Sequence, residues 1–183
     1  MSNNNRLVLC HSPIYDACYM HKGLTETPTK AGIRQAIPYV IVMNKRTQRI
    51  ALFQRKTGDS RLVGGYIIGV GGHVEIEDAV TDERSGFLTE SALFHAAMRE
   101  IREELGIRPK PESLHQMQMA EIRLSDNPVN SAHLGIVYTY ETSARSMKNV
   151  PEDELEFIGW KTKKELKTYE LESWSQFVLE NAL

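Results

Sequence analysis

The chain has 183 residues, of which 41% are hydrophobic and 25% charged, and its formal net charge is −2. This length suits one domain with a sizeable core, so we predict a single domain over residues 1–183. The small net charge does not favour nucleic acid or a membrane surface as a partner. No apolar run approaches the roughly 20 residues of a transmembrane helix.

Residues 1–35 are expected to form an extension packed on the domain. They carry no clear periodicity, and their few apolar residues predict one short strand or helix. The apolar patch at residues 7–10 is too short for a signal peptide. Cys10 and Cys18 lack metal-binding spacing and are interpreted as free thiols, so we expect a cytoplasmic protein.

The next part of the chain has the pattern of a β-hairpin. Residues 39–43 are predicted to form a buried strand, residues 44–48 a polar turn, and residues 50–53 the return strand. A third strand-like run, residues 66–70, leads directly into Gly71-Gly72. Glycine lets a backbone approach phosphate or metal closely, although a plain turn at the end of a strand would use the same residues.

An amphipathic helix is predicted further along the chain, ending near residue 105. Ala97, Ile101 and Leu105 recur every four residues and form an apolar stripe. Gly106 supplies the left-handed residue that ends many helices, and Pro109 prevents continuation. We therefore expect this helix to pack on the core through one face.

Three glutamates share the neighbouring face of this helix. Glu100, Glu103 and Glu104 lie at i, i+3 and i+4, where like charges repel by roughly 0.2–0.5 kcal/mol per pair. They also lie near the negative end of the helix dipole, and Arg99 compensates them only in part. The face is either a solvated acidic surface or a site for a hard divalent cation, and charge placement alone leaves both open.

The glycine turn and this helix together carry a recognisable pattern. Residues 71–75 (Gly-Gly-His-Val-Glu) and 99–107 (Arg-Glu-Ile-Arg-Glu-Glu-Leu-Gly-Ile) resemble the Nudix box, Gly-x5-Glu-x7-Arg-Glu-U-x-Glu-Glu-x-Gly-U, in which U is a bulky apolar residue. The second half of the pattern matches at every defined position, from Arg99 to Ile107. The chain is therefore similar to the Nudix phosphoesterases whose box is split by an insertion.

The first half of the box departs from the pattern. The pattern places its Arg 14 positions after the Gly, whereas Gly72 and Arg99 are 27 positions apart, so about 13 residues are extra. Counting back eight positions from Arg99 reaches Ser91, with Glu90 beside it. Residues 75–90 are thus interpreted as an acidic insertion, either a solvated loop or a lid over the substrate.

Several elements follow the helix. Residues 117–124 and 133–140 are predicted strands, and residues 125–131 between them have turn composition. Residues 161–167 are interpreted as a solvated basic turn. A closing helix is predicted from the apolar residues Leu171, Trp174, Phe177 and Val178. The expected fold is an α/β/α sandwich with a mixed sheet.

The resemblance also implies the residues of a site. Glu100, Glu103 and Glu104 would hold Mg²⁺, with Mn²⁺ as a substitute, and would carry the catalysis together with Arg99, which would orient Glu103. The carbonyl of Gly71 would be a further metal ligand. Gly72 and His73 would contact the substrate. Family members often add a late acidic ligand or base, for which Glu154 and Glu156 are the weaker candidates.

The activity implied is Mg²⁺-dependent hydrolysis of a diphosphate linkage in a nucleoside diphosphate joined to another group. Two alternatives stay open: a Nudix-fold module that binds a nucleotide without turnover, and an isomerase acting on a diphosphate. The expected partner is the small-molecule substrate, and a homodimer is compatible with the sequence.

Overall fold

The computed structural model describes residues 7–12, 17–22, 34–57, 63–78, 90–147 and 154–183. The strands are β1 (Leu7–Ser12), β2 (Ala17–Lys22), β3 (Arg34–Asn44), β4 (Ile50–Arg55), β5 (Tyr66–Ile67), β6 (Gly69–Val70), β7 (Leu114–Ile122), β8 (His133–Thr142) and β9 (Leu155–Lys161). The helices are α1 (Glu90–Leu105), α2 (Pro128–Ala132), α3 (Lys163–Leu166) and α4 (Ser173–Asn181).

Strand β3 is the centre of a mixed sheet. It runs parallel to β8 from Gln35, opposite His133, to Asn44, opposite Thr142. It pairs antiparallel with β1, β4 and β6, while β7 lies outside β8 and both β5 and β9 pair with β4. The parallel register brings the first residues of β3 and β8 to the same end of the sheet.

Alternation along β3 creates two hydrophobic layers. Val40 and Val42 face the cluster that contains the predicted stripe of α1, whereas Ile41 faces the cluster that contains Val178 and Leu179 of α4. Successive side chains of a strand point to opposite faces, so one strand serves both layers. The α/β/α sandwich is confirmed.

The stripe of α1 is buried as its spacing predicted. Ala97, Ile101 and Leu105 are each at most 2% exposed. Truncating a core Ile such as Ile101 to Ala typically costs about 2–5 kcal/mol of unfolding free energy. Gly106 ends the helix at φ 60°, and its N–H donates to the carbonyl of Arg102 at 3.0 Å. The helix that carries the glutamates is thus fixed along its length and at its end.

Three local predictions were wrong. The extension expected to be irregular contains the hairpin β1–β2, which joins the sheet where Cys10 lies opposite Gln35. The predicted turn at 125–131 contains α2, whose N-cap Asn127 accepts a hydrogen bond from the N–H of Asn130. The basic turn at 161–167 contains α3, which begins with a capping box between Thr162 and Glu165.

The predicted strand at 66–70 is divided at Ile68. Its first part, β5, pairs with β4, and its second part, β6, pairs with β3. The N–H of Ile68 donates to Ser175 Oγ of α4 at 3.0 Å instead of joining either ladder. Within the described part of the chain, no helix is long and apolar enough to cross a membrane.

Candidate active site

The glycine turn lies directly against helix α1. A Cβ added to Gly72 would lie 2.5 Å from Glu100 Oε1, and one added to Gly71 would lie 1.9 Å from the carbonyl oxygen of Pro38. Real Cβ atoms do not approach other atoms so closely. Glycine is required here for close approach of the backbone rather than for a left-handed φ. The turn therefore brings its backbone against the Glu100 carboxylate.

Arg99 joins the turn to the helix. Its Nη2 donates to the carbonyl oxygen of His73 at 2.7 Å and to Asp78 Oδ2 at 2.9 Å. Its Nη1 donates to Glu100 Oε1 and to Glu103 Oε2, both at 2.7 Å. Burial lowers the pKa of Arg99, but the contacts with its three acidic partners outweigh burial and raise it. Arg99, Asp78, Glu100 and Glu103 are referred to below as the Arg99 cluster.

Glu100 is the buried carboxylate of the cluster. It is only 7% exposed. Burial raises its pKa to about 7, although Arg99 opposes this shift; the charges of Glu103 and Asp78 add to it. Burial is thus the main reason that this carboxyl binds its proton more tightly than a free glutamate does.

The two other predicted glutamates are more accessible. The Glu103 side chain is 49% exposed and pairs with Arg99 at i, i+4. Glu104 is half-buried at the next position of the helix. The three glutamates share a helix face but differ in solvation, because the glycine turn covers Glu100 and leaves Glu103 at the surface.

Asp78 is a site residue that the sequence reading assigned elsewhere. It was grouped with the acidic residues of a solvated loop, but it is 4% exposed and lies in a 3₁₀ turn, Ile76–Asp78. Besides binding Arg99, its Oδ2 accepts from the N–H of Glu75 at 2.9 Å. Asp78 stands six positions after Gly72, which is the place of the first Glu in the Nudix box. Counting forward from Gly72, rather than back from Arg99, would have found it.

This placement redefines the insertion. Residues 75–78 belong to the body of the domain, and α1 begins at Glu90. The remainder of the predicted insertion, residues 79–89, lies outside the described residues, and so does its predicted role as a loop or lid. The first half of the box is intact up to Asp78, with Asp in place of Glu.

The carboxylates of the Arg99 cluster and that of the neighbouring Glu104 are the acidic groups that could hold a divalent cation beside the glycine turn. Among the described residues, no three acidic, His or Cys side chains stand ready to hold a metal ion. Arg99 is one reason that these carboxylates are not grouped for a metal ion, because Glu100 and Glu103 each direct an oxygen to its guanidinium. The donor chemistry nevertheless fits Mg²⁺: the Glu100 carboxylate lies against the backbone of the glycine turn, and Glu103 and Glu104 stand on the same helix face.

The late acidic candidates lie on another part of the sheet. Glu156 is on β9 and forms an ion pair with Lys56, while the carbonyl of Glu154 accepts from the N–H of Lys56 at 2.7 Å. Within the described part of the chain, neither residue forms a hydrogen bond or ion pair with the Arg99 cluster. Their assignment as ligands stays a prediction.

A cavity of about 600 Å³ opens beside the glycine turn. This volume is within the usual range for small-molecule sites. Its lining includes the predicted substrate contacts Gly72 and His73, and also Gly71. Strand β3, the segment around α2 and the start of α4 supply most of the remaining wall. The cavity therefore places a bound molecule next to the turn that covers Glu100.

Two histidines meet on this wall. The rings of His73 and His133 are 5.5 Å apart in an edge-to-face arrangement. His133 Nδ1 lies 2.6 Å from the carbonyl oxygen of Val129, which can only accept, so Nδ1 carries the proton. Burial lowers the pKa of His133.

Comparison with known proteins identifies the family of this chain. The model of the NUDIX domain family matches residues 33–181. Protein YmaB of Bacillus subtilis (strain 168) is 28% identical over 172 residues, covering 90% of this chain and 79% of YmaB.

Two solved structures have a similar fold. Tm1382, provisionally described as a Nudix hydrolase, superposes with a TM-score of 0.71 at 19% identity, covering 95% of this chain and 96% of Tm1382. A MutT NUDIX hydrolase from Burkholderia pseudomallei gives a TM-score of 0.54 at 22% identity, covering 82% of this chain and all of the other. The chain therefore belongs to the NUDIX domain family.

Proposed function

We propose that this protein hydrolyses a diphosphate linkage in a nucleoside diphosphate joined to another group, with Mg²⁺ as the preferred ion and Mn²⁺ as a substitute. The observation that carries the proposal is the contact between the buried Glu100 carboxylate and the backbone of Gly72, at the edge of a cavity of small-molecule size. Nudix hydrolases generally use divalent metals. A bound ion neutralises phosphate charge and activates water.

The residues of the chain have separate tasks in this reaction. Glu100, Glu103 and Glu104 supply the ligand oxygens, with the Gly71 carbonyl as a further one. Arg99 holds Glu100 and Glu103 in place through two 2.7 Å hydrogen bonds, and Asp78 anchors Arg99. Glycine at position 72 lets the diphosphate approach the backbone. His73 borders the cavity where the substrate enters.

The chemical step is an in-line displacement. The oxygen of water forms a bond to one phosphorus, and the bond from that phosphorus to the bridging oxygen breaks. A carboxylate of the glutamate face takes the proton from water. The leaving group departs with the bridging oxygen and its electron pair. The products are two phosphate esters, or one ester and orthophosphate.

The test is a panel of diphosphate compounds incubated with Mg²⁺, with Mn²⁺ and with excess EDTA, and analysed by chromatography. We expect cleavage of at least one compound with either ion, loss of turnover in EDTA, and recovery when Mg²⁺ is restored. Undiminished turnover in EDTA would contradict the metal mechanism. Binding without any product would support the non-catalytic alternative, and a rearranged diphosphate would support the isomerase.

A further inference from the structure

The wall of the cavity carries a second charged pair, which the reaction described above does not use. Arg55 Nε of β4 donates to Glu172 Oε1 at 2.8 Å, and both side chains line the cavity. Their side chains are only 28% and 19% exposed. Burial raises the pKa of Glu172, although Arg55 lowers it. The hydrogen bond from Arg55 engages Oε1 of the carboxylate, and Oε2 is the second acceptor that Glu172 can offer to a molecule in the cavity.

Aromatic and aliphatic side chains stand next to this pair. Tyr39 and Trp174 pack edge to face with their ring centres 5.5 Å apart, and Ile37 and Ile67 also line the cavity. This wall offers flat apolar surface for a planar ring, and stacking on aromatic side chains is a common way to bind bases.

The wall is also held in place before any ligand binds. Tyr39 and Ser175 share a buried hydrogen bond of 2.7 Å. Ser175 Oγ also accepts from the N–H of Ile68, which fixes the start of α4 against the sheet. A rigid wall loses little entropy on binding, so it can discriminate between similar rings.

The pair has a fixed order of hydrogen-bonding groups. The hydrogen bond from Arg55 Nε to Glu172 Oε1 places Oε1 between Oε2 and the guanidinium. A carboxylate only accepts and a guanidinium only donates, so the order is acceptor (Glu172 Oε2), acceptor (Glu172 Oε1), donor (Arg55). The complementary edge reads donor, donor, acceptor. Guanine has this edge in its 2-amino group, its N1–H and its 6-oxo oxygen. Adenine and cytosine place an acceptor beside their amino group, and hypoxanthine lacks the 2-amino donor.

We propose that Glu172 and Arg55 bind the edge of a guanine-type ring, with the ring against the wall formed by Tyr39 and Trp174. The proposal rests on the proposed function only for the diphosphate part of the molecule. It deepens that function by naming the nucleoside: a guanosine diphosphate compound, or one whose ring has the same 2-amino-4-oxopyrimidine edge.

Binding of nucleoside monophosphates in EDTA tests the proposal without metal and without cleavage. Calorimetry on the wild-type protein should give GMP an affinity about tenfold or more above those of IMP and AMP. The reason is that a hydrogen bond to a charged group contributes more binding free energy than one between neutral groups. IMP differs from GMP only in lacking the 2-amino group. Equal affinities for the three nucleotides would overturn the proposal, and this comparison needs no variant.

A variant then assigns the preference to one carboxylate. Glu172→Gln keeps the size of the side chain but replaces one acceptor by a donor, so GMP should bind about tenfold more weakly and the preference over IMP should disappear. Glu180→Gln on the same helix is the matched control, because Glu180 is exposed and is not among the cavity-lining residues. Unchanged GMP affinity in a folded Glu172→Gln protein would overturn the assignment.

The two proposals can fail separately. Cleavage of diphosphates with Mg²⁺ but no preference for GMP would support the proposed hydrolysis and contradict the proposed guanine site. Preference for GMP that depends on Glu172, without cleavage of any diphosphate, would support the guanine site and contradict the hydrolase.

Discussion

Two arginines tie segments that line the cavity to the body of the domain, and their partners differ in charge. Arg99 binds three carboxylates and the carbonyl of His73. Arg34 binds neutral oxygens in the described part of the chain. Its Nη1 donates to the carbonyl of Leu124 at 2.8 Å and, at 3.4 Å each, to those of Asn130 and His133; its Nη2 donates to Ser125 Oγ at 2.8 Å.

The difference in partner charge distinguishes a cluster that can bind a cation, around Arg99, from a purely structural contact, around Arg34. Three carboxylates against one guanidinium give a formal charge of −3 + 1 = −2 when all are ionised. The pKa of Glu100 is raised mainly by burial, and the neighbouring carboxylates add to the shift. Such a cluster attracts a cation. The contacts of Arg34 with neutral oxygens hold a segment in place, and they create no negative charge that would attract a cation. Variants at the two arginines and their partners can therefore be compared directly.

The largest effect is expected for Glu103→Gln. Loss of a metal ligand should remove several kcal/mol of charge stabilisation, so kcat should fall by roughly 10²–10³-fold. Stability without Mg²⁺ should change by less than about 1 kcal/mol, because the pair with Arg99 is half-exposed. Added Mg²⁺ should no longer raise the melting temperature.

The control for Glu103 is Glu112→Gln, an exposed glutamate in the 3₁₀ turn Pro111–Ser113. It should keep both turnover and the response of the melting temperature to Mg²⁺. A Glu103→Gln protein as active and as responsive to Mg²⁺ as the wild type would show that Glu103 is not a metal ligand.

Asp78→Ala should have the next largest effect. It breaks a buried ion pair with Arg99, which typically costs about 3–5 kcal/mol of unfolding free energy. Turnover should fall about 10–100-fold, because the support of the ligands is lost. Chemical denaturation and turnover measure the two effects. Glu77→Ala, at an exposed neighbour in the same turn, should change neither the unfolding free energy nor the turnover. Equal behaviour of the two variants would show that Asp78 is a solvated loop residue without a role in the site.

Arg34→Lys should weaken stability and binding without slowing the chemical step. A lysine cannot reproduce the contacts to both Leu124 and Ser125, so unfolding free energy should drop by about 1–2 kcal/mol. The segment it holds lines the cavity, so KM should rise while kcat stays nearly unchanged. Arg99→Lys, in contrast, should lower kcat by about 10–100-fold. Equal losses of kcat in the two variants would erase the distinction between the arginines.

The smallest effect concerns pH and His133. Its pKa is lowered in the folded protein, from an ordinary value of 6.5, so folding favours the neutral ring. This contribution to stability is present above about pH 6.5 and is lost as the pH falls below it, because the unfolded chain binds the proton first. His133→Gln should therefore lose less stability than the wild type between about pH 7.5 and about pH 5.5.

Denaturation at the two pH values measures the effect, with His115→Gln at an exposed position of β7 as the control. The control should follow the wild-type curve. A His133→Gln protein with the wild-type dependence would show that burial of this ring does not contribute to acid sensitivity.

The sequence by itself determined the elements whose signals are local. The spacing of Ala97, Ile101 and Leu105 predicted the buried face of α1, and Gly106 its end, because helix periodicity and left-handed termination depend on neighbouring residues. The alternation of apolar side chains between the two faces of β8 is likewise a local signal, because successive residues of a strand point to opposite faces. The signals for α2 and α3 were also local, a capping Asn127 before Pro128 and a capping box from Thr162, but they were read as turns.

Only the tertiary structure decided which distant residues meet. The partner of Arg99 lies across an insertion, so counting back along the chain gave Ser91, whereas the contact of Gly72 with Glu100 brings Asp78 to the guanidinium. Arg55 and Glu172 are 117 positions apart. They meet because β5 pairs with β4, which carries Arg55, and also accepts the backbone N–H of Glu172 at the carbonyl of Tyr66. Charge pairing at such separations follows from the packing of the layers, which a linear pattern does not contain.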